Sequence, residues 1–126
     1  MATELLLDHI ARHVQLSKEE QALLISVVQF RKIKKKQFLF QEGEICTAAV
    51  FVTSGLLRLY SIDNNGFDHI LQFAPPGWWI GDINSFLTQK PATLNADAIE
   101  DTEIIVIQKT ELDRLYAAVP KLERFF

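Results

Sequence analysis

The stretch PPGWWIGDINSFLTQKPATLNADA, residues 75–98, decides how the whole 126-residue chain is read. Two prolines, two glycines and two tryptophans fall among its first seven residues. Gly81-Asp82 then opens a short apolar turn carrying Ile83, Phe86 and Leu87. After Lys90-Pro91 the chain alternates, with Leu94, Ala96 and Ala98 on one face and Thr93, Asn95 and Asp97 on the other. A period of two marks a half-buried strand. Strand, glycine turn, one helical turn and returning strand make a pocket-sized enclosure. Backbone N–H groups at such a turn point inward, and a helical turn that starts there favours an anion.

Upstream of this stretch the period is also two. LLRLYSI (56–62) and FDHILQFA (67–74) flank Asp63-Asn64-Asn65-Gly66, whose Asn-Gly pair predicts a type I′ hairpin turn. AVFVTS (49–54) is a β-branched strand ended by Gly55, and Gln41-Glu42-Gly43-Glu44 is a turn. FRKIKKKQFLF (30–40) alternates and then closes on Phe38 and Phe40. Further out lie two short helices. One covers 3–14, with Leu6, Leu7, Ile10 and Val14 at helical spacing. The other begins at the capping box Ser17-Lys18-Glu19-Glu20 and carries Leu23, Leu24, Val27 and Val28.

Downstream, EIIVIQ (103–108) is one more strand. Thr110 is expected to cap a helix, TELDRLYAAV, with Leu112 and Leu115 inward, and Pro120 to start another, PKLERFF. About seven short strands with turns every eight to twelve residues predict a mainly β roll, a jelly roll with short helices at both ends.

Composition bounds the function. A hydrophobic share of 48% with 23% charged residues is that of one globular domain. The net charge of -3 gives no general attraction to nucleic acid. The single cysteine, Cys46, excludes an internal disulfide or a cysteine-ligated cluster within the chain. There is no apolar run of membrane-spanning length and no signal-like start, so a cytoplasmic protein without membrane contact is expected. There is no Ser/His/Asp arrangement, no P-loop and no carboxylate pair with a base, and no enzymatic activity is expected.

The order of these pieces resembles the N-terminal, cyclic-nucleotide-binding-like effector domain of Crp/Fnr transcription regulators. The most specific pieces are FQEGE at 40–44, VTSGLLRLY at 52–60 and PGWWIGD at 76–82. The resemblance implies a double-stranded β-helix roll over about 29–109, a closing helix at 111–118 and the start of a dimer helix from 120. It implies a homodimer at full length, and DNA contact only through a C-terminal helix-turn-helix domain that these residues do not include. The Phe125-Phe126 end suggests a piece of a longer protein.

In that family a Gly-Glu pair is followed some ten residues later by Arg and then Ser or Thr. The Glu holds the ribose 2′-hydroxyl and the Arg pairs with the cyclic phosphate. Here Gly81, Asp82 and Ile83 stand at the start of the cassette, Ala92 at the arginine position and Thr93 at the next. Leu59, Leu71 and Gln72 fall on the sheet wall of the same expected pocket. Burying a phosphate charge unpaired costs several kcal/mol. Neither Ala92 nor Thr93 supplies the bidentate charge of an arginine. The expectation is therefore a small-molecule effector site that has departed from cyclic nucleotide, with no other cofactor. Two alternatives stay open: a working cyclic-nucleotide module in which Lys90 or Arg58 replaces the arginine, and a ligand-free dimerisation scaffold.

Other features have competing readings. Asp82 is either a ligand acceptor or an N-cap for the turn at 83–86. Trp78-Trp79 is either a stacking surface or a loop plug with one ring inward. The basic run Arg31, Lys32, Lys34, Lys35, Lys36 reads more naturally as a solvated edge strand than as a nucleic-acid patch. His9 and His13 stand at i, i+4 without a third metal ligand nearby.

Overall fold

The computed structural model describes residues 2–124, and Phe125 and Phe126 lie outside them. The chain opens with α1 (Ala2–Ala11) and α2 (Lys18–Val27). The strands are β1 (Gln29–Ile33), β2 (Phe38–Phe40), β3 (Ala48–Ser54), β4 (Leu57–Ile62), β5 (Asp68–Ala74), β6 (Trp79–Ile80), β7 (Asn95–Ala98) and β8 (Thr102–Gln108). A short α3 (Ile83–Thr88) sits between β6 and β7. After β8 come α4 (Lys109–Ala118) and a 3₁₀ turn, Pro120–Arg124. The strands form two antiparallel four-stranded sheets, ordered β1-β8-β3-β6 and β2-β7-β4-β5.

The mainly β roll with helices at both ends is thus as the alternation predicts. Its central strand shows why. Along β8, Ile104 and Val106 face the space between the sheets, where they meet Val50, Val52, Leu57 and Leu59. Ile105 and Ile107 face the opposite way, onto Phe51, Leu6, Ile10, Leu24, Leu112 and Leu115. One strand therefore serves two cores, one inside the roll and one under the helices. Each such aliphatic side chain contributes about 1.5–3 kcal/mol when fully buried. Among the described residues, the helices cluster with strands of the first sheet and not with the outer face of the second. A row of side chains crosses it as Phe38, Asp97, Arg58 and Phe73, one from each strand in register.

Several local expectations are corrected. FRKIKKKQFLF is not one strand but two, placed in different sheets. The chain turns at 34–37, where Lys36 takes φ 72° and Gln37 caps the turn by accepting from Lys34 N–H. The β4–β5 hairpin is not type I′, since neither Asn64 nor Asn65 has positive φ and only Gly66 does, at 85°. Asp63 instead accepts from the N–H groups of Asn65 and Phe67 through one carboxylate oxygen. That is a type I turn closed by a glycine bulge. Thr110 is not a cap either. α4 begins two residues earlier, at Lys109, with Gln108 as N-cap, which makes no side-chain cap bond. The first helix stops at Ala11 rather than 14. Pro120 starts a 3₁₀ stretch to Arg124 rather than the expected helix, whose last two positions, 125 and 126, lie outside the described residues.

The capping box of α2 is present, with Glu20 N–H on Ser17 Oγ at 3.1 Å and Ser17 N–H on Glu20 Oε1 at 2.8 Å. Gly55 breaks the β3–β4 path because the chain passes itself there. Its φ is +93°, and an added Cβ would collide with the Asp101 carbonyl and lie 2.6 Å from Thr102 Cα.

Candidate functional site

The loop from Gly81 to Thr93 is closed by its own side chains. Asp82 is the N-cap of α3 and is only 4% exposed. One carboxylate oxygen accepts from Ser85 N–H at 3.1 Å, and the other from Thr93 N–H at 2.9 Å. The residue thus joins the two ends of the loop. Ser85 adds a second tie, accepting from Cys46 N–H at 3.0 Å and donating to the Lys90 carbonyl at 2.6 Å. At the far end of α3, Gln89 takes φ 58°, and its amide donates to the Cys46 and Phe86 carbonyls at 3.0 and 2.7 Å. Such short polar side chains favour helix ends, where they replace missing backbone partners.

Ala92 is sewn to the Gly43-Glu44 turn on both sides of its peptide. Its N–H donates to the Glu44 carbonyl at 2.7 Å, and its carbonyl accepts from Gly43 N–H at 2.8 Å. Its methyl is 3% exposed and belongs to the cluster inside the roll.

The eight residues singled out in the sequence are not brought to one surface. Gly81, Asp82, Ile83 and Gln72 line a common cavity of ≈ 320 Å³. Leu59 and Ala92 are packed in the inner cluster. Leu71 is 59% exposed on β5, and Thr93 is exposed with its N–H bonded to Asp82. Gln72 lies opposite Leu59, and its amide donates to the Trp79 carbonyl at 2.9 Å.

The cavity has a second wall that sequence reasoning missed. It comes from α4, through Lys109, Leu112, Asp113 and Tyr116. The signal was available as spacing: these four stand at i, i+3, i+4 and i+7, one face of a helix. Lys109 Nζ lies 3.6 Å from Asp113 and 5.7 Å from the centre of the Phe86 ring. Burial, with Asp113 and Glu123 nearby, pushes the Tyr116 phenol up to about 12. Burial also pushes the Cys46 thiol up, so it stays protonated and weakly nucleophilic.

Neither basic side chain considered as a phosphate partner is turned inward. Arg58 grips Asp97 with two bonds, of 2.7 and 3.1 Å, and reaches Asp68 at 3.4 Å. Its guanidinium lies 4.2 Å from the centre of the Tyr60 ring. Those partners place it on the outer face of the second sheet, and its hydrogen bonds to Asp97 hold its pKa above the ordinary value. Lys90 is exposed and takes part in the loop through its carbonyl.

Trp79 packs on Phe51 with ring centres 4.9 Å apart, while Trp78 is 54% exposed. One ring is therefore inward and one outward. The basic run lies on β1, at the edge of its sheet, and on the turn that follows, exposed throughout except for Ile33. His9 and His13 lie edge to face at 5.9 Å, and His9 also stands 5.5 Å from Phe51. No group of metal-ligating side chains is found among the described residues. None of the described helices is long and apolar enough to cross a membrane.

Comparison with known proteins matches residues 30–118 to the family described as the cyclic nucleotide-binding domain. The transcriptional activator protein FnrA of Stutzerimonas stutzeri is 32% identical over 94 residues, 75% of this chain and 38% of that protein. The chain thus spans about two-fifths of the length of this relative. The crystal structure of the Thermus thermophilus catabolite activator protein superimposes with a TM-score of 0.77 at 28% identity, over 86% of this chain and 51% of the other. The sensor domain of the regulator DNR from Pseudomonas aeruginosa has the same fold, with a TM-score of 0.81 at 18% identity, over 98% of this chain and 82% of the other.

Proposed function

The chain belongs to the cyclic nucleotide-binding domain family, and from that premise we propose that it is the effector-sensing domain of a Crp/Fnr-type transcription regulator whose roll no longer takes cyclic nucleotide in the family's usual way. The reading is carried by one observation: the cassette is satisfied from within. Both oxygens of Asp82 are engaged by Ser85 and Thr93, so this carboxylate already fills the loop donors nearest to it. At position 92, where the family's arginine would meet a phosphate, stands a buried methyl group. A cyclic nucleotide would bring a full negative charge next to a buried carboxylate with no cation to balance it, at a cost of several kcal/mol.

The name of FnrA as a transcriptional activator supports the regulatory half of the reading. On this reading, the roll senses a small molecule and passes the signal through α4 and the segment after Pro120. The longer protein forms a homodimer and meets DNA through a domain C-terminal to this one. A ligand would act by binding unequally to two arrangements of α4 against the roll, since equal binding moves nothing.

A ligand-free scaffold is the second reading, and Phe86 favours it. This ring packs against both the inner and the outer cluster and so ties α3 to the interior. Calorimetric titration of cAMP and cGMP into the chain tests the leading reading. No saturable heat is expected with either nucleotide, and binding at micromolar concentration would overturn it.

A further inference from the structure

The crevice between α3 and α4 has its own structural origin. β6 has two residues and pairs only with Val50 and Phe51, so the start of β3 has no strand beside it on that edge. Ala48, packed toward the inside of the roll, and Ala49, packed toward the helices, both border the crevice at this open edge, and their small side chains leave space that neither helix fills. Phe86 and Leu87 of α3 form one wall, and Leu112 and Tyr116 of α4 the other. The volume of ≈ 320 Å³ lies at the lower end of the range usual for small-molecule sites, roughly 300–1,000 Å³.

The charges of this crevice are already matched. Lys109 is paired with Asp113 at 3.6 Å, Asp82 is bonded through both oxygens, and the Gln72 amide is bonded to the Trp79 carbonyl. An anion entering here would compete with Asp113 for Lys109 and face Asp82. An uncharged apolar molecule would only displace water from aromatic and aliphatic walls.

We propose that this crevice is a binding site for an uncharged aromatic small molecule, seated at the edge bordered by Ala48 and Ala49, between Phe86 and Leu87 on one side and Leu112 and Tyr116 on the other. Gly81, Asp82, Ile83 and Gln72 line both this crevice and the expected cyclic-nucleotide pocket, but the crevice is offset from that pocket toward α4, because Leu59, Ala92 and Thr93 do not line it. It deepens the sensor reading on which its regulatory meaning rests, since α4 is both a wall of the crevice and the element that leads out of the roll.

The test uses N-phenyl-1-naphthylamine, a neutral aromatic probe that fluoresces when it leaves water. The unmodified chain is expected to give a saturable, blue-shifted signal with a micromolar Kd. Ala49→Leu fills that space, and Leu87→Asp places a charge on a wall residue that is 65% exposed, where the fold tolerates it. Both variants are expected to weaken binding by about tenfold or more while still unfolding cooperatively on heating. No saturable binding by the unmodified chain, or unchanged binding by folded Leu87→Asp, would overturn the proposal. Adding cAMP separates the two ideas. An unchanged probe titration is expected whether or not cAMP itself binds, and a cAMP calorimetric signal beside it would defeat only the cassette reading. Displacement of the probe by cAMP would put both ligands in one place and defeat the offset site.

Discussion

Of the two readings that the sequence offers for Asp82, ligand acceptor and N-cap, the structure shows the N-cap and adds a tie that the sequence did not show. The side chain caps α3 and at the same time holds the far end of the loop at Thr93. Asp82→Ala would leave two backbone donors without their partners in a buried place, and is expected to cost about 2–4 kcal/mol in urea unfolding. Asp82→Asn keeps one acceptor and is expected to cost about half as much. Equal stability of all three proteins would mean that the carboxylate does not hold the loop. Gly55 gives a second residue-scale contrast. Gly55→Ala drives a methyl into the Asp101 carbonyl and keeps an unfavourable φ, so a loss of about 3 kcal/mol or more is expected. Gly66→Ala, with open space around it, pays the backbone term alone, about 1 kcal/mol. Thermal unfolding of the pair checks the order, and a larger loss at Gly66 would contradict it.

At the scale of elements, the sequence was read well wherever one face is buried and the other wet. β3, β4, β5 and β8 are where alternation puts them, and the capping box of α2 is legible residue by residue. Reading fails where two structures give the chain the same solvent exposure. Lys34, Lys35 and Lys36 are solvated whether 30–40 is one strand or two strands and a turn, so periodicity cannot see the break. DNNG is compatible with both hairpin geometries because each needs its glycine at positive φ. The Asp63 carboxylate decides between them, through bonds to backbone donors two and four residues on. In the same way the sheet side of the candidate site was legible from Gly81, Asp82 and Gln72, while the α4 side was read only as a core-facing helix.

α1 supplies a pH-dependent prediction at this scale. His9 lies against Phe51 and Trp79, and burial, followed by the nearby His13 and Arg12, lowers its pKa below 6.5. The folded state therefore favours neutral His9. As pH falls below about 6.5, the unfolded chain takes up a proton that the folded chain resists, and stability is lost over that window. The urea midpoint is expected to drop between pH 7.5 and 5.5, and His9→Gln to flatten that drop. An identical pH slope in both proteins would show that His9 does not anchor the helix through its neutral form.

Over the whole molecule, the roll has the scaffold of its family, and the proposed function places the change of ligand chemistry in one loop. Two sheets enclose an apolar interior, and three helices cover the outer face of one sheet. The loop that would cradle a phosphate is closed by Asp82, Ser85 and Gln89. Fold and ligand chemistry are separable because the first rests on alternating apolar residues spread over eight strands, and the second on a few polar groups at one turn. On the proposed reading that separation is already legible at Ala92, which stands where the resemblance places an arginine. The internal closure of the loop is not, because it depends on which backbone donors Asp82 meets in space.

The central claim is that this roll is intact and has lost cyclic nucleotide through these few groups. Its most direct test is calorimetric titration of cAMP into the parent chain and into an Asp82→Glu, Ala92→Arg double variant. The longer carboxylate restores reach toward a ribose hydroxyl, and the arginine supplies the missing charge and two aligned donors. The account predicts no binding by the parent and measurable binding by the folded variant. Binding by the parent, or silence from a variant that unfolds as cooperatively as the parent, would contradict it.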